Sequence, residues 1–147
     1  PYNLMLRKIL TIAGRPGLFR LVSQGKNMLI VEDLTSGRRF PAHQRDRVSS
    51  LGDISMFTLE EDAPLSAVLT SLYAKQEGKP VDLKAFNGDG ALRSFFAEVL
   101  PNYDQDRVHL SDIRKLLSWY NVLIAAGITE FEEKEEEAEK PADEKAE

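Results

Sequence analysis

The chain has no cysteine. Disulfides, thiolate nucleophiles and zinc–thiolate sites are therefore excluded. Histidine is scarce too: His43 and His109 stand far apart, and neither has a second ligand at metal spacing. The longest apolar run, Val122 to Ala126, falls far short of the ~20 residues a helix needs to cross a bilayer. No charged start followed by an apolar stretch marks a secretory leader. Met5 is a candidate natural start, with Pro1 to Leu4 as an extension.

Catalytic motifs are missing as well. There is no G-x-S-x-G, no H-E-x-x-H and no phosphate-binding P-loop. Ser49 and Ser50 have no recognisable nucleophile context. Asn87-Gly88-Asp89-Gly90 lacks the alternating acids and closing glutamate of a calcium loop, so it reads as a turn and helix cap. Gly14-Arg15-Pro16-Gly17 follows no strand and has no third glycine, so it reads as a turn. The acids Glu60-Glu61-Asp62 simply favour the N-terminus of a following helix. No catalytic, cofactor-binding or metal residues are assigned, and the chain is expected not to be an enzyme.

What is present is a 147-residue chain with 42% apolar residues, enough for one domain or for two small ones sharing a core. Its net charge of -5 is unevenly spread. Pro1 to Thr58 carries nine Lys/Arg against four Asp/Glu, Leu59 to Thr129 seven against ten, and Glu130 to Glu147 three against ten. Such asymmetry bears on partners and association, not on fold.

Near the start, Leu6, Ile9, Leu10 and Ala13 share one helical face, with Asn3 as cap and Gly14 as stop. This spacing predicts a short helix; a strand over Ile9 to Ile12 is the competing reading. Turn residues then punctuate apolar stretches over Leu18–Ser23, Met28–Asp33, Arg38–Ala42, Arg45–Ser50 and Ile54–Thr58. Pro41 marks the third of these as an edge strand. Five short strands with a tight turn at Leu51-Gly52-Asp53 match the layout of an SH3-like barrel.

Asp62-Ala63-Pro64 predicts a helix start, with Leu65, Val68, Leu69, Leu72 and Tyr73 on its apolar face. A second helix places Leu92, Phe95, Phe96, Val99 and Leu100 inward and stops at Pro101. A third, capped at Ser111-Asp112, turns Ile113, Leu116, Leu117, Tyr120, Leu123 and Ile124 inward and ends at Gly127. The remaining stretch is too acidic and too poor in apolar residues to offset its ordering entropy, so disorder is expected. The expected fold is α+β. A short helix and a small SH3-like five-stranded β-barrel occupy 1–58, a three-helix segment 59–129 and a disordered acidic tail 130–147.

Two features rise above this background. Arg38, Arg39, Arg45 and Arg47 crowd around Phe40 and His43, and Arg15, Arg20 and Lys26 belong to the same barrel. Arginine forks suit phosphate, and an aromatic among them suits a stacked base, so these residues are candidates for binding RNA or DNA. A solvated face is the ordinary alternative, with Phe40 in the core. Trp119 is the candidate contact for a protein partner; its ordinary alternative is a cover over the junction of barrel and helices.

The stretch LRKILTIAGRPGLFRLVSQGKNMLIVEDLTSGRRFPAHQRDRVSSLGDISMFT, especially IAGRPGLF and SSLGDIS, resembles an uncharacterised Bacteroidota family with an N-terminal domain of unknown function. VHLSDIRKLLSWYNVLIAAGITEF resembles the helical domain that accompanies it. The resemblance spans roughly Met5 to Phe131. It implies a cytoplasmic bacterial protein and brings no site residues with it. The expected function is a non-enzymatic binding or adaptor module for a protein, with nucleic acid as the alternative partner, an unrecognised enzyme as the second alternative and no membrane association.

Overall fold

The computed structural model describes residues 4–43, 46–129 and 131. Asn3, Arg45 and nearly all of the acidic tail lie outside the described residues.

The first expectation is corrected at once. Only Leu4–Arg7 is helical (α1), and Ile9–Ile12 is a strand, β1. Ile9 is buried on one face of this strand while Leu10 and Ile12 are buried on the other. A strand apolar on both faces mimics helical spacing over so short a window. β2 (Arg15–Gly25), β3 (Met28–Asp33), β4 (Arg39–His43) and β5 (Val48–Ser50) complete one antiparallel sheet in the order β4-β3-β2-β1-β5. β5 starts at Val48, three residues later than the sequence predicts.

Four strand spacings at about 4.8 Å would hold β4 and β5 roughly 19 Å apart in a flat sheet. Yet the chain passes from His43 at the end of β4 to Val48 at the start of β5, a reach of at most about 18 Å when fully extended. The sheet must curl. β2 provides the bend: its register with β3 shifts between Leu21 and Ser23, which makes Val22 an extra residue. The curl stops short of closure, because no ladder joins β4 to β5 among the described residues. The expected closed barrel is thus an open, curled sheet of five antiparallel strands.

The free edge of β4 is poorly suited to pairing. Pro41 has no N–H to give, and the His43 N–H donates to the Asp46 carboxylate at 2.8 Å. The His43 carbonyl in turn accepts from the Asp46 N–H at 2.9 Å.

After β5 comes a 3-10 turn, Leu51–Asp53. Gly52 sits against α1 so closely that a Cβ there would lie 2.7 Å from Arg7 Cγ and 3.1 Å from its Cα. Ser50 fixes the same contact, its hydroxyl donating to the Arg7 carbonyl at 2.8 Å.

The expected fifth barrel strand is a correction. Ser55–Met56 (β6) leaves the sheet and pairs with Ala63–Pro64 (β7). Its continuation bridges from Thr58 to Tyr103. Because Ala63 and Pro64 are extended, Asp62 does not cap the next helix. α2 runs from Leu65 to Gln76, with Pro64 at the cap position and no side-chain bond there.

α3 (Asp89–Val99) and α4 (Leu110–Ala125) follow. Here too the cap moves: His109, not Ser111, stands at the start of α4, and its N–H donates to the Asp112 carboxylate at 3.0 Å. α4 ends in a Schellman motif. Gly127 takes φ +81°, and the Ile128 N–H reaches back to the Leu123 carbonyl at 2.9 Å.

Apolar packing falls into two clusters. The larger joins Ile9, Leu18 and Leu51 from the sheet side to Leu69, Leu72, Phe96, Leu117 and Tyr120 from the helices. The smaller sits inside the curl: Leu10, Ile12, Phe19, Val31 and Ala42. Phe131, assigned by sequence to a disordered tail, is buried in the larger cluster with its ring 6.0 Å from Tyr73.

Candidate functional site

Among the described residues the basic side chains of the sheet are divided between its two faces and its turns. Arg20 and Arg39 lie opposite Glu32 from its two neighbouring strands, and Arg39 Nε bonds Glu32 Oε1 at 3.1 Å. Arg15 belongs to the other face, where its guanidinium lies 4.3 Å over the Phe40 ring. Phe40 meets Phe19 edge-on at 5.5 Å and so closes the rim of the small core. A base could stack on Phe40 only after Arg15 moved. Lys26 and Arg38 occupy the turns at opposite ends of β3. Arg47 is exposed, and its carbonyl accepts from the Ala13 N–H at 2.9 Å. Arg45 lies outside the described residues.

His43 stands at the open seam of the sheet. There Gln24, Asn27, His43 and Asp46 rim a hollow of ≈ 480 Å³ floored by Met28, Leu29, Ala42 and Val48. Among the described residues no group of His, Asp or Glu is placed to hold a metal ion.

Trp119 is placed differently. It is half-buried against the larger core and lines a groove of ≈ 200 Å³ between α4 and residues 54–57. Ile54, Met56, Val108 and Leu116 make its apolar wall; Asp112 and Lys115 mark its rim. α4 presents Asp112, Lys115, Leu116 and Trp119 along one side because they recur at helical spacing. Trp119 thus packs on the larger core and lines an open groove beside β6, away from the five-stranded sheet.

Two apolar side chains of the segment that runs past the groove are exposed. Phe57 is 41% exposed and Leu59 73% exposed. Phe57 is held by Arg107, whose guanidinium lies 4.3 Å over its ring. Arg107 is held in turn by Asp104, Nε to Oδ2 at 2.9 Å. That hydrogen bond, helped by the N–H of Asp106, keeps the Asp104 carboxyl below its usual value. Deeper in, burial pushes the Tyr120 hydroxyl up, and it donates to the Lys79 carbonyl at 2.8 Å.

Sequence reasoning found Trp119 but missed Phe57, Leu59 and the Phe57–Arg107–Asp104 chain. Arg107 and Asp104 are far from Phe57 in sequence, so no local pattern announces the contact.

Two family models match the chain. A domain of unknown function (DUF5606) matches residues 6–51, and a second domain of unknown function (DUF6852) matches residues 54–123. A solution NMR structure from Bacteroides vulgatus, determined by a structural genomics consortium, is 52% identical. The match covers 86% of this chain and 91% of that one, with a TM-score of 0.68. The chain belongs to this uncharacterised Bacteroidota family. Within the family description the N-terminal match coincides with the curled sheet and the second with the groove and helices. No curated protein matches the chain. Among the described residues no helix is long and apolar enough to cross a membrane.

Proposed function

We propose that the protein is a non-enzymatic binding module whose partner is another protein, held at the groove between residues 54–57 and α4. The observation that carries this reading is the joining of a half-buried tryptophan and an exposed phenylalanine in the lining of one apolar groove. Aromatic anchors in partly desolvated pockets dominate protein interfaces. The curled meander, with its order β5-β1-β2-β3-β4 and bent second strand, supports an SH3-like scaffold behind that groove. A chain without cysteine fits the reducing cytoplasm, which is the location this reading assumes. The dispersal of the arginines weighs against nucleic acid as the main partner.

The test is capture of partners from a Bacteroidota cell extract by four proteins: wild type, Trp119→Ala, Phe57→Ala and the Arg38→Ala/Arg39→Ala pair. Folding of each is checked by circular dichroism. A partner kept by the arginine variant and lost by the two groove variants supports the proposal. Binding of mixed-sequence single-stranded RNA or DNA that weakens steeply with salt and vanishes in the arginine variant would replace it.

A further inference from the structure

The groove has a second property, which lies in the backbone of β6. The Ile54 carbonyl accepts from the Leu65 N–H at 2.9 Å, on the side of β7. The Phe57 carbonyl accepts from the Asp104 N–H at 2.9 Å, on the opposite side. Successive residues of an extended strand point their N–H and C=O groups to alternate sides. Ser55 therefore aims its N–H and C=O the same way as Phe57, away from β7.

The segment that could have met them does not. Residues 102–104 pair alongside 57–59, with the Leu59 N–H donating to the Asn102 carbonyl at 2.9 Å. At Asp104 the chain turns away: the Val108 N–H folds back to the Asp104 carbonyl at 2.9 Å, and α4 begins at Leu110. Among the described residues nothing pairs with Ser55 on that side, and Ser55 itself lines the groove. A short free strand edge thus lies next to an apolar pocket.

The rim supplies a charge. Asp112 already accepts the His109 N–H at 3.0 Å. Lys115 is exposed and has no ion-pair partner among the described residues.

We infer that the groove takes an extended segment of a partner protein by strand addition at Ser55, with one large apolar side chain in the pocket and a neighbouring Asp or Glu on Lys115. This rests on the proposed protein-binding role and narrows it to a recognition mode. Main-chain bonds to Ser55 supply sequence-independent affinity, while the pocket and Lys115 choose the sequence. The apolar wall formed by Ile54, Met56, Leu116 and Trp119 has room for one side chain.

The experiment is selection of short random peptides on the intact protein, followed by titration of enriched peptides against the emission of Trp119, the one tryptophan in the chain. Enriched peptides should share a large apolar residue flanked by an acid. Methylating the peptide backbone nitrogens one at a time should cut affinity about tenfold at the position facing Ser55 and little at its neighbours. Lys115→Glu, an exposed change that leaves the core alone, should lower affinity about fivefold. Repeating the selection on that variant should replace the acid by Lys or Arg. Peptides that shift Trp119 emission and lose affinity with Phe57→Ala, yet tolerate methylation everywhere and ignore Lys115→Glu, would overturn strand addition while leaving protein binding intact. If no enriched peptide moves Trp119 emission, the groove is not a peptide site and strand addition falls, whereas the protein-binding role falls only if the capture experiment also yields no partner lost by the groove variants.

Discussion

Leu18 and Phe19 are neighbours in β2, and they end in different cores. Leu18 packs into the large cluster shared with the helices, whereas Phe19 packs into the small cluster inside the curl. The large cluster draws on every helix and on the sheet. The small one is built by strands alone and is edged by half-buried Leu21, Leu29, Phe40 and Val48. The difference teaches where cooperativity resides. The two family matches meet between residues 51 and 54, but Ile9, Leu18 and Leu51 lie in the same apolar cluster as Leu69 and Tyr120. The sheet is therefore bound to the helices through its outer face.

Leu18→Ala should have the largest effect. It removes a fully buried side chain where sheet and helices meet, at a cost of about 3–5 kcal/mol. Urea unfolding followed by Trp119 emission and by circular dichroism should shift together. A loss seen only by circular dichroism would split the molecule into two independent units. Ile12→Ala, in the small cluster, should cost about 2 kcal/mol, since half-buried neighbours can settle into the space. An equal or larger cost would mean that the curl is the better-packed core.

Asn121 extends the comparison to the helical side. Its carbonyl oxygen accepts the Val81 N–H at 2.7 Å and its amide donates to the Val81 carbonyl at 2.8 Å. Val81 is buried, so Asn121→Ala should cost about 2 kcal/mol by stranding two backbone groups. Faster hydrogen exchange at the Val81 amide is the direct readout.

Arg39→Ala tests the sheet where no helix covers it. Its side chain is 63% exposed, so loss of the Glu32 pair should cost less than about 1 kcal/mol. A larger loss in thermal unfolding would show that the Arg20–Glu32–Arg39 row is more than a surface pair. The smallest effect belongs to Asp104. Its folded-state carboxyl titrates below the ordinary 3.8, chiefly because of the Arg107 hydrogen bond. The resulting stabilisation is complete above pH 3.8 and is lost as pH falls through the lower folded value. Arg107→Gln should move the Asp104 carboxyl titration, followed by NMR, back up towards 3.8.

Much of this layout was legible from local patterns. Strands β2 to β4 announce themselves through turn residues and β-branched runs, and α2, α3 and α4 through apolar spacing. What escaped depends on distant partners. Ile9 to Ile12 is buried on both faces, so periodicity could not tell strand from helix. Ser55 and Met56 alternate like a barrel strand, but their pairing is set by Ala63 and Pro64 rather than by the sheet. One helix start moved for the same reason, because Ala63 and Pro64 are drawn into β7; the other moved locally, because His109 rather than Ser111 takes the cap and bonds Asp112 three residues on. At the candidate site, Trp119 stood out as the single tryptophan. The strand edge beside it follows from contacts among residues 54–57, 63–65 and 102–104, which no short window contains.

The shared outer face of the sheet also has a consequence for synthesis. Every strand of the curled sheet has been made once Ser50 is added, but α4, which packs on β2, ends at Ala125. At about 5–20 residues per second, the ribosome needs roughly 4–15 s to travel from Ser50 to Leu123. Through that interval Ile9 and Leu18 have no α4 to cover them. Until then the apolar side of the sheet residues has no α4 to pack against and is open to chaperones and to neighbouring chains on the same messenger.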